Sequence, residues 1–496
     1  MKCHANCEDL IQSTICFEGV SRMSENVKKK AFQWISENES DIIQVSDRIW
    51  ELAELGLKEF KSSALLVEQL RKAGFNIEMG VAGMPTAFVA TWGSAKPVIG
   101  IMGEYDALGG LSQKNVPWKE PFVEGAPGHG CGHNIHGSSG MAGAIAAKVA
   151  IEEAGIRGTI KFFGTPAEET AGGKVYMVRD GVFNGLDAVL SHHAGSMNTG
   201  GFSGTNAEND VKFHFSGIAS HAAGSPEQGR SALDAVELTD VGVNYLREHV
   251  IPEARIHYVI TSGGEQPNVV PAYASSWYYV RAPERAQVEQ IYDRVLRIAK
   301  GAAMMTETTL RVEFVGGLYN MILNRTLNDL IVSNMREIGP PTYNDEEKKF
   351  ANEISKTIKP EAKRNWLVKT KRPKWETLID VELDRTVPDT WERWEAGSTD
   401  VSDVSWQVPT MEFTTSTFVL GSPGHSWQNV AQAGMGIGHK SLIFAAKTIS
   451  SSVIDLMSKP DLVKKAKDEF MQRLGGRAYK SPLPPEMKPP LEMWKK

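Results

Sequence analysis

The sequence predicts an α/β protein interrupted by a smaller α+β unit. Three observations carry this expectation. Helical and strand patterns alternate between residues 24 and 207, as a layered α/β fold requires. Between 208 and 320 the order becomes strand, helix, strand, strand, helix, strand, the split order of a ferredoxin-like unit. From 321 to 479 helices and strands resume. The expected organisation is therefore one domain in two parts, 24–207 and 321–479, around an insert at 208–320. Residues 1–23 read as a disordered leader, with Met23 a candidate start, and 480–496 as a Pro-rich surface tail.

Taken in order, residues 24–74 read as helices. Ser24 is a candidate cap, and Trp34, Ile35, Ile42, Ile43, Val45 and Ile49 recur at three-to-four spacing. Leu65, Leu66 and Leu70 mark a further helix, stopped at Gly74. The apolar runs 86–91 and 98–102 read as strands around a Gly- and Pro-bounded turn. Residues 107–137 read as loop, and 138–154, rich in Ala, Gly and Ser, as a helix able to pack closely. Strands follow at 159–164 and 186–191, with 175–180 in a helix between them. The insert offers strands at 211–216, 256–261, 274–281 and 309–314 and helices at 231–248 and 283–302. The charged, Trp-containing stretch 340–397 reads as an irregular insertion, and 414–420 as a late strand.

Composition excludes several classes. The 496 residues are 41% hydrophobic and 23% charged, with 54 basic and 60 acidic side chains, so no basic excess exists to grip nucleic acid. No uninterrupted apolar run is long enough for a membrane span. Four cysteines cannot form a disulfide framework, and three of them, Cys3, Cys7 and Cys16, fall in the leader beside His4. The expected location is the cytoplasm.

Chemistry concentrates where strands end. Gly128-His129-Gly130-Cys131-Gly132-His133-Asn134 places a thiol two residues from an imidazole. A thiolate and an imidazole suit Zn²⁺ or Mn²⁺, although a buried cysteine beside a loop histidine would give the same pair. Strand 159–164 runs into Pro166-Ala167-Glu168-Glu169. Of two adjacent carboxylates at a strand end, one can hold a metal while the other takes a proton from water. The next strand leads to His192 and His193, and a later one to Gly424-His425-Ser426. Side chains at successive strand ends of an open sheet converge on one crevice. Glu104-Tyr105-Asp106 closes strand 98–102 with two more carboxylates.

Read together, Glu-Tyr-Asp, Gly-Cys-Gly-His-Asn, Pro-Ala-Glu-Glu, a strand-terminal His, Ser220-His221-Ala222-Ala223 and Gly-His-Ser resemble the zinc- or manganese-dependent amidohydrolases. That family includes carboxypeptidase G, aminoacylases and hydrolases of auxin conjugates. Gly397-Ser398-Thr399-Asp400 and His425-Ser426-Trp427-Gln428 resemble its aminobenzoyl-glutamate-utilising branch. The resemblance covers about residues 25 to 475. It implies a zinc-peptidase-like catalytic domain, with a mixed central sheet flanked by helices, and a ferredoxin-like lid that serves in dimerisation. It implies two divalent ions, Zn²⁺ or Mn²⁺, held by Cys131, His133, Glu169, His193 and His425, with Asp106 orienting a ligand histidine. Glu168 would be the general base acting on metal-activated water, and His221 a donor to the tetrahedral oxyanion. Glu104 would not be a ligand. Asn268 and Arg281 would bind a substrate carboxylate, with Tyr319 and Asn320 standing where relatives carry a further arginine.

The implied reaction is hydrolysis of an N-acyl or aroyl amino acid, first among them p-aminobenzoyl-glutamate to p-aminobenzoate and glutamate. A broader aminoacylase or a dipeptidase shares the same centre. The implied assembly is a homodimer or a heterodimer with a homologous subunit. A cysteine-nucleophile amidase built on Cys131, with His129 or His133 as activator, leaves Glu168, Glu169, His193 and His425 without a task. A non-catalytic subunit on the same fold is the third reading.

Overall fold

The computed structural model describes residues 24–494. The leader, with its three cysteines and His4, lies outside the described residues. Three helices open the chain: α1 (residues 24–37), α2 (Glu39–Leu52) and α3 (Phe60–Lys72). Ser24 does not cap α1 but lies within it. Its hydroxyl donates to Asp455 at 2.9 Å, and Lys28 one turn on pairs with the same carboxylate at 2.9 Å. A buried ion pair therefore docks the first turn.

The elements that follow are β1 (Asn76–Met79), β2 (Phe88–Gly93), β3 (Val98–Gly103), α4 (His133–Glu153), β4 (Thr159–Gly164), α5 (Gly173–Arg179), β5 (Ala188–Gly195) and the two-residue β6 (Ser203–Gly204). The central sheet has the order β1-β2-β4-β3-β5-β12, where β12 (Thr410–Ser416) arrives over two hundred residues later. β4, β3, β5 and β12 are parallel, whereas β1 and β2 run antiparallel at one edge. The sheet is thus mixed. β2 and β3, consecutive in sequence, do not pair, because β4 slots between them. Both faces of the parallel strands are covered, which is why β3 and β4 read as near-continuous apolar runs.

Among the element boundaries that differ from the sequence reading, three do so for a local reason. α4 begins at His133, five residues before the expected start, because Gly132 at φ 79° makes the turn that Ser138-Ser139 suggests. β5 extends through His192 and His193, so both histidines are strand residues. β12 lies at 410–416 rather than 414–420. Its register with β5 runs from Thr410↔Val189 to Ser416↔Gly195, and the chain then turns as the Thr417 and Phe418 amides both donate to Gly195 O.

The second sheet is built from β7 (Ala207–Ser216), β8 (Arg255–Ser262), β9 (Tyr273–Ala282) and β10 (Thr309–Leu318), antiparallel in the order β10-β7-β9-β8. Helices α6 (Ala232–Leu246) and α7 (Arg285–Met305) cover one face. Val211, Phe213, Phe215, Tyr278, Val288 and Val295 form a core of their own there.

The chain then returns through α8 (Arg325–Ile338), α9 (Asp345–Lys356), α10 (Pro360–Lys369), β11 (Arg393–Trp394), which pairs with β6, and α11 (Val401–Ser405). After β12 come α12 (Trp427–Ala433), α13 (Gly436–Ser458) and α14 (Pro460–Leu474). The stretch read as irregular thus holds two helices. α9 starts on a reciprocal cap between Asn344 and Glu347, and its few apolar residues, Phe350, Ala351 and Ile354, share one face packed on Val419, Ala431 and Ile437. The tail runs over the surface, where Trp494 Nε1 donates to Gly56 O at 2.8 Å and Lys58 Nζ to Leu491 O at 2.9 Å. Among the described residues no helix is long and apolar enough to cross a membrane.

α4 packs against α13 at a distance only a small residue permits. A Cβ on Gly143 would sit 2.7 Å from Ile449 Cβ. Alanine gains about 1 kcal/mol of helix propensity over glycine, but overpacking a core costs about 1–3 kcal/mol. Gly143→Ala is therefore expected to lower the thermal midpoint by a few degrees. A midpoint equal to or above that of the wild type would contradict this packing.

Candidate metal centre

Side chains alternate across a strand, so adjacent His192 and His193 face opposite ways on β5. His192 is fully buried between Ser139 Oγ at 2.9 Å and Thr415 Oγ1 at 2.7 Å. His193 turns to Cys131, with Nε2 3.2 Å from Sγ. Its Nδ1 donates to Ala194 O at 2.8 Å, which leaves a lone pair on Nε2, the atom that faces the thiol. His133 is fixed in the same sense. Asp106 Oδ1 accepts from its Nδ1 at 2.8 Å, and its Nε2, buried, has no hydrogen-bond partner.

Glu169 supplies the second such atom. Its Oε1 is buried without a hydrogen-bond partner and lies 3.4 Å from His425 Nε2. Its amide donates to the other oxygen of Asp106 at 3.0 Å. His425 sits in the loop after β12 at φ 50°, with its side chain 55% exposed, so the cluster opens to solvent there.

The donor atoms fall into groups within 4.8 Å of one another. Cys131, His133 and His193 form one; Cys131, Glu169 and His425 form another; Glu168 joins His133 and Glu169 in a third. Cys131 belongs to the first two. A soft thiolate, three imidazoles and a carboxylate are the donors that borderline divalent ions accept, and one buried nitrogen and one buried oxygen among them make no hydrogen bond. These residues fit a divalent metal.

The charges are strongly interdependent. Burial would raise the Cys131 thiol, but His193 and His133 carry it well below its ordinary value. Burial would lower His133, but Glu104, Cys131 and Asp106 hold it well above. His193 is likewise raised against burial, chiefly by Cys131. Burial and the Cys131 charge push Glu169 up to about 8. Burial, then repulsion from Glu104, Glu169 and Asp400, raises Glu168 well above the carboxylate range.

Beneath these groups lies a network that sequence reasoning largely missed. Lys174, at the start of α5 and fully buried, places Nζ 2.5 Å from Glu104 Oε1 and 2.7 Å from Asp400 Oδ1. Glu104 Oε2 accepts from His136 Nδ1 at 2.8 Å and lies 3.1 Å from His133 Nε2. His136 Nε2 is 3.1 Å from Ser191 Oγ, which donates to Glu412 at 3.0 Å. His136 was legible only with the correct start of α4, which puts it one turn from His133. Glu412 needed the β5–β12 register, in which it faces Ser191. No local motif marks Lys174.

The remaining expected residues lie in none of these groups, and His221, Asn268 and Arg281 belong to the four-stranded unit. His221 is exposed. Its Nδ1 accepts from the amides of Ala223 at 3.2 Å and Gly224 at 3.0 Å, so the ring proton sits on Nε2. Asn268 is its neighbour, its carbonyl accepting from Ala222 N at 3.0 Å. Arg281 is engaged by Glu208, Nε to Oε2 at 2.5 Å, and stacks on Tyr279. Tyr319 donates to Lys480 O, and Asn320 Oδ1 accepts from the Arg285 amide. His129 contacts Ile49 O at 3.0 Å, and Asn134 donates to Ser46 and Ala433; both join helices.

Residues 100–431 match peptidase family M20/M25/M40. The chain is 40% identical over 463 residues to one subunit of the p-aminobenzoyl-glutamate hydrolase of Escherichia coli, covering 90% of this chain and 95% of that one. It is 28% identical to the Xaa-Arg dipeptidase of Mus musculus, over 91% of this chain and 93% of that one. Its fold is that of an aminobenzoyl-glutamate utilization protein from Klebsiella pneumoniae, with a TM-score of 0.56, 17% identity, and coverage of 85% of this chain and 97% of that one.

A ligand must lose its proton to bind metal. With Glu169 at about 8 and both imidazoles raised, an ion entering below pH 8 displaces at least one proton. The affinity of the metal-free protein for Zn²⁺ is expected to fall by about tenfold per pH unit for each displaced proton between pH 8 and 6, read by chelator competition. A pH-independent affinity would contradict this donor set.

Proposed function

The chain belongs to peptidase family M20/M25/M40 and is a metal-dependent amide hydrolase; from that premise we propose that it cleaves p-aminobenzoyl-glutamate to p-aminobenzoate and glutamate. The observation that carries the site reading is the pair of buried atoms that make no hydrogen bond, His133 Nε2 and Glu169 Oε1, each grouped with Cys131. Two ions, Zn²⁺ or Mn²⁺, are proposed there, one with Cys131, His133 and His193, the other with Cys131, Glu169 and His425. When bound, they polarise the amide carbonyl and lower the pKa of water.

The chain's own residues supply the proton traffic. Glu168, grouped with His133 and Glu169, is placed to accept the proton of the attacking water and return it to the departing amine. Asp106 holds His133 in the tautomer that presents Nε2. His221, with Nδ1 occupied by two amides, presents an N–H that can stabilise the oxyanion. Asn268 beside it is proposed to meet the substrate carboxylate, and Arg281 to do so on release from Glu208.

His221 lies outside the ligand groups, which supports assembly with another polypeptide that brings the lid of one chain to the centre of the other. The 40% identical relative is itself one subunit of a hydrolase, so a homologous second chain is the proposed partner, with a homodimer as the alternative. A thiolate ligand suits a reducing compartment, and the cytoplasm is the proposed location. The likeness to a dipeptidase favours one second reading, hydrolysis of dipeptides or other N-acyl amino acids at the same centre.

Glu168→Gln is expected to retain metal and lose about 10²- to 10⁴-fold in kcat. Full turnover with metal bound would contradict the general-base role. p-Aminobenzoyl-glutamate assayed beside acetylated amino acids and dipeptides separates the two substrate readings. Activity that survives chelation but not thiol alkylation would instead identify Cys131 as a nucleophile.

A further inference from the structure

We propose that Glu59 is a positioning residue that sets the direction of Glu168 by fixing the strained residue in front of it. The inference rests on the general-base assignment of Glu168 made above. Ala167 has φ 60°, a left-handed conformation that residues with a side chain rarely hold. Such outliers persist where the surroundings over-determine them. The Ala167 amide donates to Glu59 Oε1 at 2.9 Å, and Glu59 Oε2 accepts from Thr86 Oγ1 at 2.9 Å. All three residues are fully buried.

A carboxylate in front of a helix ordinarily caps that helix. Glu59 occupies the N-cap position of α3 and makes no cap bond. Glu54 takes that task instead, accepting from the amides of Lys61 and Ser62 and from the Ser62 hydroxyl. Glu59 is thereby released to reach a residue 108 positions away. Its own loop is held from two sides. The Ala107 amide donates to Glu54 O at 2.8 Å, next to Asp106. Gly56 also presses on the same turn, where a Cβ would come within 3.0 Å of Ala167 Cα and 2.3 Å of Thr170 Oγ1.

The catalytic turn is therefore clamped by carboxylates on both sides of Glu168. Glu59 takes the amide before it and Asp106 the amide after it. With both neighbours fixed, the backbone of Glu168 is held where its side chain joins the group with His133 and Glu169. Burial and the charge of Asp106 push Glu59 up to about 8. Glutamine keeps the shape of Glu59 and one oxygen that can accept from the Ala167 amide.

The test uses the metal-loaded full chain as wild type, Glu59→Gln, Glu59→Ala, and Glu59→Ala combined with Ala167→Gly. Amide hydrogen exchange is read on peptides covering residues 165–172, beside kcat and KM on p-aminobenzoyl-glutamate. The wild type and Glu59→Gln are expected to protect the Ala167 amide and to turn over within threefold of each other. Glu59→Ala is expected to lose that protection and at least tenfold in kcat, with KM within twofold and metal retained. Glycine holds φ 60° unaided, so the double variant is expected to regain at least threefold in kcat. Unchanged exchange and kcat in Glu59→Ala overturn the proposal, as does a tenfold loss in Glu59→Gln. A double variant no faster than Glu59→Ala marks Glu59 as merely structural and also overturns it. If Glu59→Ala does not fold, exchange in the wild type decides: an Ala167 amide as fast as an exposed loop overturns the proposal, and a protected one lost in Thr86→Val supports it. A wild type that leaves the substrate uncleaved overturns the substrate reading alone, because the exchange data still decide on Glu59.

Discussion

The carboxylate of Asp106 accepts from His133 Nδ1 with one oxygen and from the Glu169 amide with the other. It stands just past the end of β3, while His133 opens α4 and Glu169 follows β4. One side chain thus sets the orientation of two proposed ligands that come from different elements. The tautomer of His133 follows from this contact, because a carboxylate can only accept. So does the aim of Glu169, whose backbone is tied at the amide. Cys131, just ahead of His133 in the loop before α4, is placed between the two halves, and the strand ends of β5 and β12 bring His193 and His425 to it.

A cluster this rich in ionisable groups needs its charge balanced away from water. Lys174 is the clearest instance, a fully buried ammonium between Glu104 and Asp400. It makes Glu104 a paired carboxylate rather than a free one. On the opposite face of β5, His192 is buried and held neutral, its pKa carried well down by burial and by His136 and His193. The pleat of the strand therefore turns one of two adjacent histidines to Cys131, as a proposed ligand, and buries the other as a packing residue.

Much of this was legible in the sequence because parallel strand ends and turn chemistry are local. Strand 159–164 and the split order of the insert follow from patterns within a few residues. The Cys-x-His, Glu-Glu and Gly-His-Ser elements stand out for the same reason. What escaped depends on distance. The insertion of β4 between β2 and β3, the start of α4 at Gly132, and the partners Lys174, Asp400 and Glu412 are set by tertiary register. Glu59 escaped too, since its acidic side chain before α3 looks like an ordinary cap. Charge-rich 340–397 looked irregular because its helices bury only short apolar faces. Arg281 looked free, whereas Glu208 on the neighbouring strand holds it.

The central claim is that the Cys131 thiolate joins the two ligand groups into one centre. X-ray absorption on the protein loaded with two equivalents of Zn²⁺ tests it most directly. The account predicts a sulfur scatterer at about 2.3 Å and a second metal at about 3.5–4 Å, both lost in Cys131→Ser. A first shell of nitrogen and oxygen alone, unchanged in Cys131→Ser, would contradict it.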